Sequence, residues 1–276
     1  MSVVVPFRGD QTAAGRLTAS LRKLELREGD EVIIADNSDA SMVVTSSSIR
    51  AVSATGECSS YHARNVAATH AKGDWLLFTD ADCVPDSNVV DAYLTDPVPD
   101  GVGALAGNVV SDPLQRHFLA RYATDRGFLD QEGGLHTAED AAATANLMVR
   151  RTAFEEVGGF VEGIRSGGDV DFCRRLGAAG WRIERRPAAR VVHLHRESLR
   201  DLLGSIARYA SGASWLDERY PGSAPEWPLA SGLMDCGRDI GADLARRRFE
   251  QAAFRGIDAL GLVAHTIGYR RSNAAG

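Results

Sequence analysis

Short apolar segments that end at polar residues constrain the fold of this chain most strongly. Three of them, at 2–6 (SVVVP), 31–35 (EVIIA) and 74–79 (DWLLFT), have the length and composition of buried β-strands. The segments 12–26 and 60–71 between them have the periodicity or alanine content of helices. Strands that alternate with helices predict a doubly wound, mostly parallel sheet, whose ligands bind beyond the carboxyl ends of the strands.

The α/β pattern continues to about residue 196. Further strands are predicted at 49–53, 102–110, 144–149 and 182–194, and helices at 152–157 and 170–179. The glycine-containing stretch 127–140 has weak periodicity and is predicted to be a mobile loop. We therefore expect an α/β domain over 1–196, divided into halves at about 1–110 and about 111–196.

Residues 197–276 form a different, helical pattern. One helix face would be shared by Leu199, Leu202, Leu203, Ile206 and Tyr209. A second amphipathic helix is predicted at 249–267, and Pro221, Pro225 and Pro228 predict a linker between the two. The carboxyl-terminal part is therefore expected to be a helical appendage.

Composition excludes several classes of protein. The chain has 276 residues, 44% of them hydrophobic, which is enough for a packed core. Its 31 basic and 37 acidic residues give a net charge of −6, which argues against a nucleic-acid partner. Its four cysteines form no C-x-x-C pair, and no segment resembles a signal peptide or a membrane span. We therefore expect a cytoplasmic protein.

A basic run, Arg246-Arg247-Arg248, precedes the last predicted helix. Such a run is compatible with a membrane surface, but it is more often the solvated end of a packed helix. We expect at most peripheral membrane contact, and the sequence leaves a homo-oligomer open.

Two carboxylates directly follow the apolar strand at 74–79. Asp80 and Asp82, separated by Ala81, lie on a tight turn and could hold a divalent cation that neutralises a diphosphate. The structural alternative is that one of them caps a following helix. Asp86 is available for that task, so the pattern favours a cation site.

Two later clusters also contain side chains that could take part in catalysis or metal binding. Asp169 and Asp171 stand at the start of a predicted helix, where they could either cap it or act as free carboxylates. His193 and His195 lie on the same side of a predicted strand and are candidate metal ligands. An imidazole beside carboxylates suits Mn²⁺ better than Ca²⁺, and Mg²⁺ also fits.

Taken together, these segments resemble family 2 glycosyltransferases of the GT-A fold. The similar segments are VVVP at 3–6, VIIADNS at 32–38, ARN at 63–65, AKGDWLLFTDAD at 71–82, TANLMVRR at 144–151, VGGF at 157–160 and GGDVDFCRRLGAAGWRI at 167–183. The resemblance implies metal-dependent transfer of a sugar, with inversion, from a nucleotide diphosphate sugar to an acceptor hydroxyl. A uridine diphosphate sugar is the expected donor, and the sequence does not identify the acceptor.

The resemblance also implies which residues bind the nucleotide. Asp36 would receive the nucleobase, and Arg64 and Asn65 would line the same pocket. The floor and the ribose end of this pocket would be formed by Pro6, Phe7, Arg8, Asp80 and Ala81.

The metal and diphosphate residues follow from the same resemblance. Asp82 would ligate the cation and Asp80 would contact it through water. His193 would supply a third ligand, with His195 in reserve, and Arg196 would contact the pyrophosphate.

On the acceptor side, Asp169 matches the general base of the family, which removes a proton from the attacking hydroxyl. Asn146, Gly168 and Asp171 would shape the acceptor pocket. The sequence departs from the family at Gly168, where Glu is usual, at Val161, where Asp is common, and in ADNS, which lacks the usual glycine. The first departure removes a carboxylate that could orient the acceptor.

Other functions fit less well. A nucleotidyltransferase of related fold needs a glycine-rich phosphate loop, which PFRGDQTAAGR does not provide, and no G-x-G-x-x-G of a dinucleotide enzyme follows the first strand. A catalytically silent module that binds sugar nucleotides remains an alternative because of Gly168 and Val161.

Overall fold

An eight-stranded mixed sheet forms the centre of the protein. A computed structural model describes residues 1–43, 45–46, 49–128 and 142–275, so the predicted loop at 127–140 lies mostly outside the described residues. The strands are β1 (Ser2–Phe7), β2 (Glu31–Asp36), β3 (Ile49–Ser53), β4 (Trp75–Thr79), β5 (Cys83–Pro85), β6 (Val102–Ser111), β7 (Asn146–Arg150) and β8 (Arg182–His193).

The order of the strands across the sheet is β3-β2-β1-β4-β7-β6-β8-β5. Strand β1 pairs in parallel with β2 and β4, β2 pairs in parallel with β3, and β6 pairs in parallel with β8. Strand β7 is antiparallel to both β4 and β6, and β5 is antiparallel to β8. The prediction of a mostly parallel sheet is therefore confirmed.

Helices flank the sheet and form the carboxyl-terminal part. They are α1 (Gln11–Leu21), α2 (Ser60–His70), α3 (Val89–Tyr93), α4 (Phe118–Asp125), α5 (Arg151–Glu156), α6 (Gly168–Ala178), α7 (Leu199–Arg219), α8 (Leu229–Ala245) and α9 (Phe249–Tyr269). Polar side chains fix several of the starts: Asp10 accepts the N–H of Ala13 at 2.8 Å, and Ser198 accepts the N–H of Asp201.

One predicted helix ends earlier than expected, and four elements were not predicted. Helix α1 ends at Leu21 instead of residue 26, because the N–H of Glu25 bonds to the carbonyl of Ser87 and the chain leaves the helix. The predicted linker with its three prolines lies outside any helix at 221–228, but helix α8, which begins directly after Pro228, was not predicted. The short elements β5, α3 and α4 were not predicted.

Apolar side chains fill a core on each face of the sheet. Val4 of β1 belongs to the first core, which α2, α5 and α6 cover, and Val3 and Val5 belong to the second, which α1 and α3 cover. Phe78 of β4 is fully buried against Phe154 and Phe160. Burial of one such side chain stabilises the fold by roughly 1.5–3 kcal/mol.

The carboxyl-terminal helices and the chain end pack on the α/β part. Leu119 and Tyr122 of α4 share an apolar cluster with Leu202 of α7 and with Phe254 and Ile257 of α9. The chain end also returns to the loop before α6, where a β-bridge joins residues 164 and 274. None of the described helices combines the length and the apolar character needed to cross a membrane.

Candidate active site

A cavity of about 720 Å³ lies at the carboxyl ends of β1, β4 and β8. Pro6, Phe7 and Ala81 form part of its wall. The charged and polar residues that line it are Arg8, Arg16, Ser20, Ser60, Tyr61, Arg64, Asp80, Asp82, Thr144, Arg165, Ser166, Asp169, His193, Arg196, Arg208 and Tyr209. The predicted strand ends and the start of α6 therefore meet at one site, as expected for a sheet of this kind.

Asp82 and His193 face each other on one wall of the cavity. Strand β5 follows Asp82 directly and pairs with β8, so that Cys83 lies opposite His193 in the ladder. The Leu194 N–H donates to the Asp82 carbonyl at 2.9 Å, and His193 Nε2 lies 3.5 Å from Asp82 Oδ2. Two turns of the backbone that are distant in sequence thus hold a carboxylate and an imidazole side by side.

The alternative role of these aspartates as helix caps does not apply. The next helix, α3, begins at Val89, and its start has no side-chain cap. Asp86, which we expected to serve as a cap, lies 3.5 Å from Arg190 instead. Asp80 and Asp82 therefore have no capping role.

Asp80 makes a different contact from Asp82. Its carboxylate is ion-paired with Arg64, whose side chain is almost fully buried and packs against the rings of Tyr61 and Phe160. About a third of the Asp80 side chain, 31%, remains exposed. Arg64 thus fixes Asp80 at the cavity wall but leaves one side of the carboxylate open.

The electrostatics of Asp82 favour its charged form. Burial acts to raise the pKa of this carboxyl, but the hydrogen bond and charge of His193, together with the charge of Arg196, outweigh burial and lower it. The Asp82 side chain is 45% exposed, on the side that faces the cavity. A carboxylate that stays ionised and accessible beside an imidazole is a suitable donor set for a divalent cation.

The described residues do not complete a metal site by themselves. Among them, no group of three or more His, Cys, Asp or Glu side chains is arranged to hold a metal ion. Asp82 and His193 supply two ligands, and the diphosphate of a substrate and water would have to supply the others. The two residues fit a cation that is bound together with such a substrate.

His195 lies behind His193, away from the cavity. The two Nδ1 atoms are 3.3 Å apart, and His195 Nε2 lies 2.8 Å from the hydroxyl of Ser111. Burial, together with the charge of His193, lowers the pKa of His195 to about 4. Of the two histidines, His193 is therefore the one that reaches the cavity.

Asp169 stands in the first turn of α6, on the part of the wall where α2, α6 and α7 approach one another. It does not cap the helix, because the cap position is Gly167, whose φ of 84° suits glycine. Burial raises the pKa of the Asp169 carboxyl, against the opposing charge of Arg64. Asp169 is therefore a carboxylate with increased basicity at the cavity surface, as a general base requires.

Tyr61 of α2 explains the unusual glycine before Asp169. The Tyr61 hydroxyl accepts the N–H of Gly168 at 3.0 Å and lies 3.5 Å from Asp169 Oδ1. A Cβ at position 168 would lie 2.8–2.9 Å from the Tyr61 ring. The aromatic ring thus occupies the space into which a Glu side chain at this position would project.

Two residues that we assigned to the acceptor pocket do not line the cavity. Asp171 has a fully buried side chain, which is held by Arg175 and Arg219 at 2.7 Å each and by the Tyr220 hydroxyl at 2.8 Å. Asn146 is also fully buried and bonds to three groups, the carbonyls of residues 108 and 189 and the hydroxyl of Tyr93. Because these groups are satisfied inside the protein, neither side chain reaches the cavity.

Two residues predicted to bind the nucleobase also face inward. Asp36, with 3% of its surface exposed, accepts backbone N–H groups of Ser38, Met42 and Val43. Burial acts to raise its pKa, but these hydrogen bonds lower it. Asn65 exchanges hydrogen bonds with the backbone of Phe160. Both residues shape the surrounding loops, and neither lines the cavity.

Arg8 marks the other end of the site. Its side chain is half exposed, lies 3.5 Å from Asp39 and contacts Cys58. Beyond it lies a second depression of about 640 Å³, lined by Arg8, Asn37, Ser38, Asp39, Thr55, Gly56, Glu57 and Cys58. This depression is thus lined by residues that follow Asp36 and not by Asp36 itself.

The cavity carries an excess of positive charge. Six arginines and three aspartates line it. Among the described residues, only Arg8 and Arg64 of these six lie within ion-pair distance of a carboxylate. A site of this composition attracts polyanions such as a diphosphate.

Sequence reasoning missed several residues of the wall. Tyr61 is three residues before Arg64 on α2, so helical spacing could have placed it on the same face. Arg165, Arg208 and Tyr209 carried no motif, and they reach the cavity only because α7 and the chain end pack on the loop before α6.

The fold is that of the GT-A class of glycosyltransferases. The chain matches the family model described as "Glycosyltransferase like family 2" over residues 3–211 and belongs to this family. It is 29% identical over 258 residues to the pre-mycofactocin glycosyltransferase of Mycobacterium tuberculosis, a match that covers 87% of this chain and 54% of that protein. The chain therefore spans about half the length of this relative.

Solved structures support the same fold. The mannosyltransferase PcManGT from Pyrobaculum calidifontis, in complex with GDP-Man and Mn²⁺, has a TM-score of 0.63 at 16% identity, covering 97% of this chain and 86% of that one. GalNAc-T7 with UDP, GalNAc and Mn²⁺ has a TM-score of 0.53 at 17% identity, covering 71% and 43%. The prediction of a GT-A fold and of this family is therefore confirmed.

Proposed function

We propose that this protein transfers a sugar, with inversion, from a nucleotide diphosphate sugar to an acceptor hydroxyl. The observation that carries the proposal is the pair of sites in one cavity: Asp82 and His193 at the strand ends, and the basic carboxylate of Asp169 at the start of α6. Displacement at an anomeric carbon needs charge stabilisation at the leaving diphosphate and a base beside the acceptor.

On the donor side, Asp82 and His193 would hold a divalent cation, Mn²⁺ or Mg²⁺, with Asp80 contacting it through water. When bound, the cation neutralises charge that develops on the diphosphate. Arg196, whose charge acts on Asp82, would contact the pyrophosphate. Two structural neighbours were crystallised with Mn²⁺, which supports this choice of metal.

The nucleotide would lie between Pro6, Phe7, Arg8 and the Asp80–Asp82 turn. We propose a uridine diphosphate sugar as donor, and the neighbours with UDP and with GDP-Man make a guanosine diphosphate sugar the comparison to test. Residues 1–196 would form the transferase domain, with the donor half at about 1–110 and the acceptor half at about 111–196. Residues 197–276 would form the helical extension, of which α7 completes the acceptor wall.

On the acceptor side, Asp169 would accept the proton of the attacking hydroxyl. Its raised pKa makes it a stronger base than an ordinary aspartate. Tyr61 and the backbone of Gly168 would hold it in place. Since one base suffices for a single displacement, no second carboxylate is required at position 168.

The test is a donor panel on the purified chain. UDP- and GDP-sugars would be incubated with Mn²⁺, with Mg²⁺ and with excess chelator, and release of the nucleoside diphosphate would be measured with and without pooled hydroxyl acceptors. We expect metal-dependent release for one donor, and an inverted anomeric configuration of the product by NMR. Tight donor binding without any turnover would identify a silent binding module, and equal turnover in chelator would contradict the metal site.

A further inference from the structure

Arg208 of α7 and Asp169 of α6 line the same cavity although they are distant in sequence. Helix α7 crosses the loop before α6 at Gly212, where a Cβ would lie 2.7 Å from atoms of Ser166. Arg208 precedes Gly212 by one helical turn, which places it on the same helix face about 6 Å along the axis. Arg208, Ser166 and Asp169 all line the cavity.

The charge of Arg208 is not neutralised by the described residues. None of their carboxylates lies within ion-pair distance of its guanidinium, since Asp80 pairs with Arg64 and Asp82 with His193, and its Nε has no hydrogen-bond acceptor. The guanidinium packs 5.1 Å from the ring of Tyr209, a contact that orients it but satisfies none of its N–H groups. Because Arg208 lines the cavity and its charge has no described counterion, the arrangement favours an anionic ligand there.

Arg165 adds a second positive charge on the same wall. It precedes Ser166, and its guanidinium donates to the carbonyl of Ser272 at 2.6 Å. The chain end fixes this loop, since Asn273 donates to the Ser166 carbonyl at 2.9 Å and accepts from Ser211 at 3.3 Å. Arg165 is therefore held in the cavity lining, as is Arg208, by contacts that leave its positive charge without a described counterion.

These two arginines lie on the Asp169 side of the cavity, whereas Arg196 acts on Asp82. The diphosphate of the donor would be neutralised at the Asp82 side. We propose that Arg208 and Arg165 bind an anionic group of the acceptor, a phosphate or a carboxylate, while the acceptor hydroxyl faces Asp169. The inference rests on the proposed function and specifies its acceptor class.

The first experiment uses inorganic sulfate, a tetrahedral dianion that does not precipitate with Mn²⁺. The full chain is saturated with nucleoside diphosphate and Mn²⁺, and sulfate is titrated at constant ionic strength while the unfolding midpoint is followed. We expect saturable stabilisation that Arg208→Gln weakens by about tenfold or more, as expected for loss of a charged hydrogen-bond donor. The matched control is Arg200→Gln, which removes an exposed charge from the same helix and should leave binding unchanged.

Three results would overturn the proposal. They are absence of sulfate binding in the nucleotide-saturated protein, displacement of the nucleotide by sulfate, and equal weakening by Arg200→Gln. If no nucleoside diphosphate binds at all, the proposed function fails. The titration is then made on the free protein, where the difference between the two variants still decides whether an anion site exists at Arg208.

The second experiment identifies the source of the anion. Matched acceptors that keep a free hydroxyl are compared by kcat/KM: a sugar with its phosphate, and a sugar with its uronic acid. We expect the anionic member of one pair to be preferred at least tenfold, with the preference lost in Arg208→Gln, partly kept in Arg208→Lys, and the donor KM unchanged. Equal use of the neutral member in every pair that reacts would contradict the inference.

Discussion

The two walls of the cavity are built in different ways. The Asp82 wall consists of residues at the ends of β4 and β8, which are joined through β5 by a ladder of backbone hydrogen bonds. The Asp169 wall brings together α2, the start of α6, one face of α7 and the chain end, which are held by side-chain packing and loop contacts.

The first wall is built from features that any sheet of this kind provides, and the second from residues that are particular to this chain. Strand ends are fixed by the sheet, so a carboxylate and an imidazole there keep their positions whatever the neighbouring loops contain. The opposite wall depends on which residues the helices present, and here these are Tyr61, Gly168 and Arg208. We therefore expect changes on the first wall to abolish donor binding, and changes on the second to alter transfer, acceptor choice or stability.

The largest effect is expected for Asp82→Asn. The change removes a charged ligand, so several kcal/mol of charge stabilisation at the diphosphate is lost and kcat/KM should fall by about 10³-fold or more. Metal-dependent binding of nucleoside diphosphate, measured by calorimetry, should disappear as well. Asp86→Asn is the matched control, because Asp86 lies on the neighbouring turn but pairs with Arg190 outside the cavity. Tight nucleotide binding by Asp82→Asn would show that the strand-end wall does not hold the metal.

Asp169→Asn should distinguish the roles of the two walls, because it should impair transfer and leave nucleotide binding intact. Nucleotide binding should stay within about twofold of wild type, whereas transfer should fall by about 10²-fold or more because an amide cannot accept the proton. Since burial raises the pKa of Asp169, its base form is lost as the pH falls through a value above that of an ordinary aspartate. The wild-type rate should therefore decline on the acid side at a higher pH than about 4, and the variant should lack this decline.

The control for this variant is Glu162→Gln, since Glu162 bonds to His62 and Asn65 and does not line the cavity. A normal rate for Asp169→Asn together with a large loss for Glu162→Gln would move the base to Glu162. Asp171 is no candidate, because its carboxylate is fully buried between two arginines.

The same contrast explains how far the sequence could predict this protein. Apolar strands and the polar residues that follow them are local patterns, so the sheet, the Asp80–Asp82 turn and His193 could be placed in advance. Asn146 and Asp171 occur in family-like segments, but whether such a side chain faces a cavity depends on partners such as Tyr93 and Arg219. The role of Arg208 depends on how α7 packs, which no local pattern encodes.

The two histidines should differ in their effect on metal binding. His193→Ala should weaken Mn²⁺ affinity in the presence of nucleoside diphosphate by on the order of 10²-fold, because a ligand on the cavity wall is lost. His195→Ala removes a group behind the ligand, 3.3 Å from its Nδ1, and should cost about tenfold at most. Manganese titration followed by electron paramagnetic resonance measures both. A larger loss for His195→Ala would reverse the assignment.

Gly168→Ala should produce the smallest effect. The informative result is whether this change raises or lowers the free energy of unfolding. An alanine in a helix normally stabilises a protein relative to glycine by about 0.4–1 kcal/mol. At position 168 the new Cβ would lie within 3 Å of the Tyr61 ring, so we expect destabilisation by roughly 1–3 kcal/mol, measured by urea unfolding. Gly15→Ala is the matched control, since it lies in α1 with no atom within 4 Å of the added Cβ, and it should stabilise the protein.

If the ring is the obstacle, the penalty should shrink in a Tyr61→Ala background, where a double-mutant cycle gives the coupling between the two positions. A penalty that persists without the ring would mean that the backbone at the start of α6 requires glycine. The space before Asp169 would then not be determined by α2.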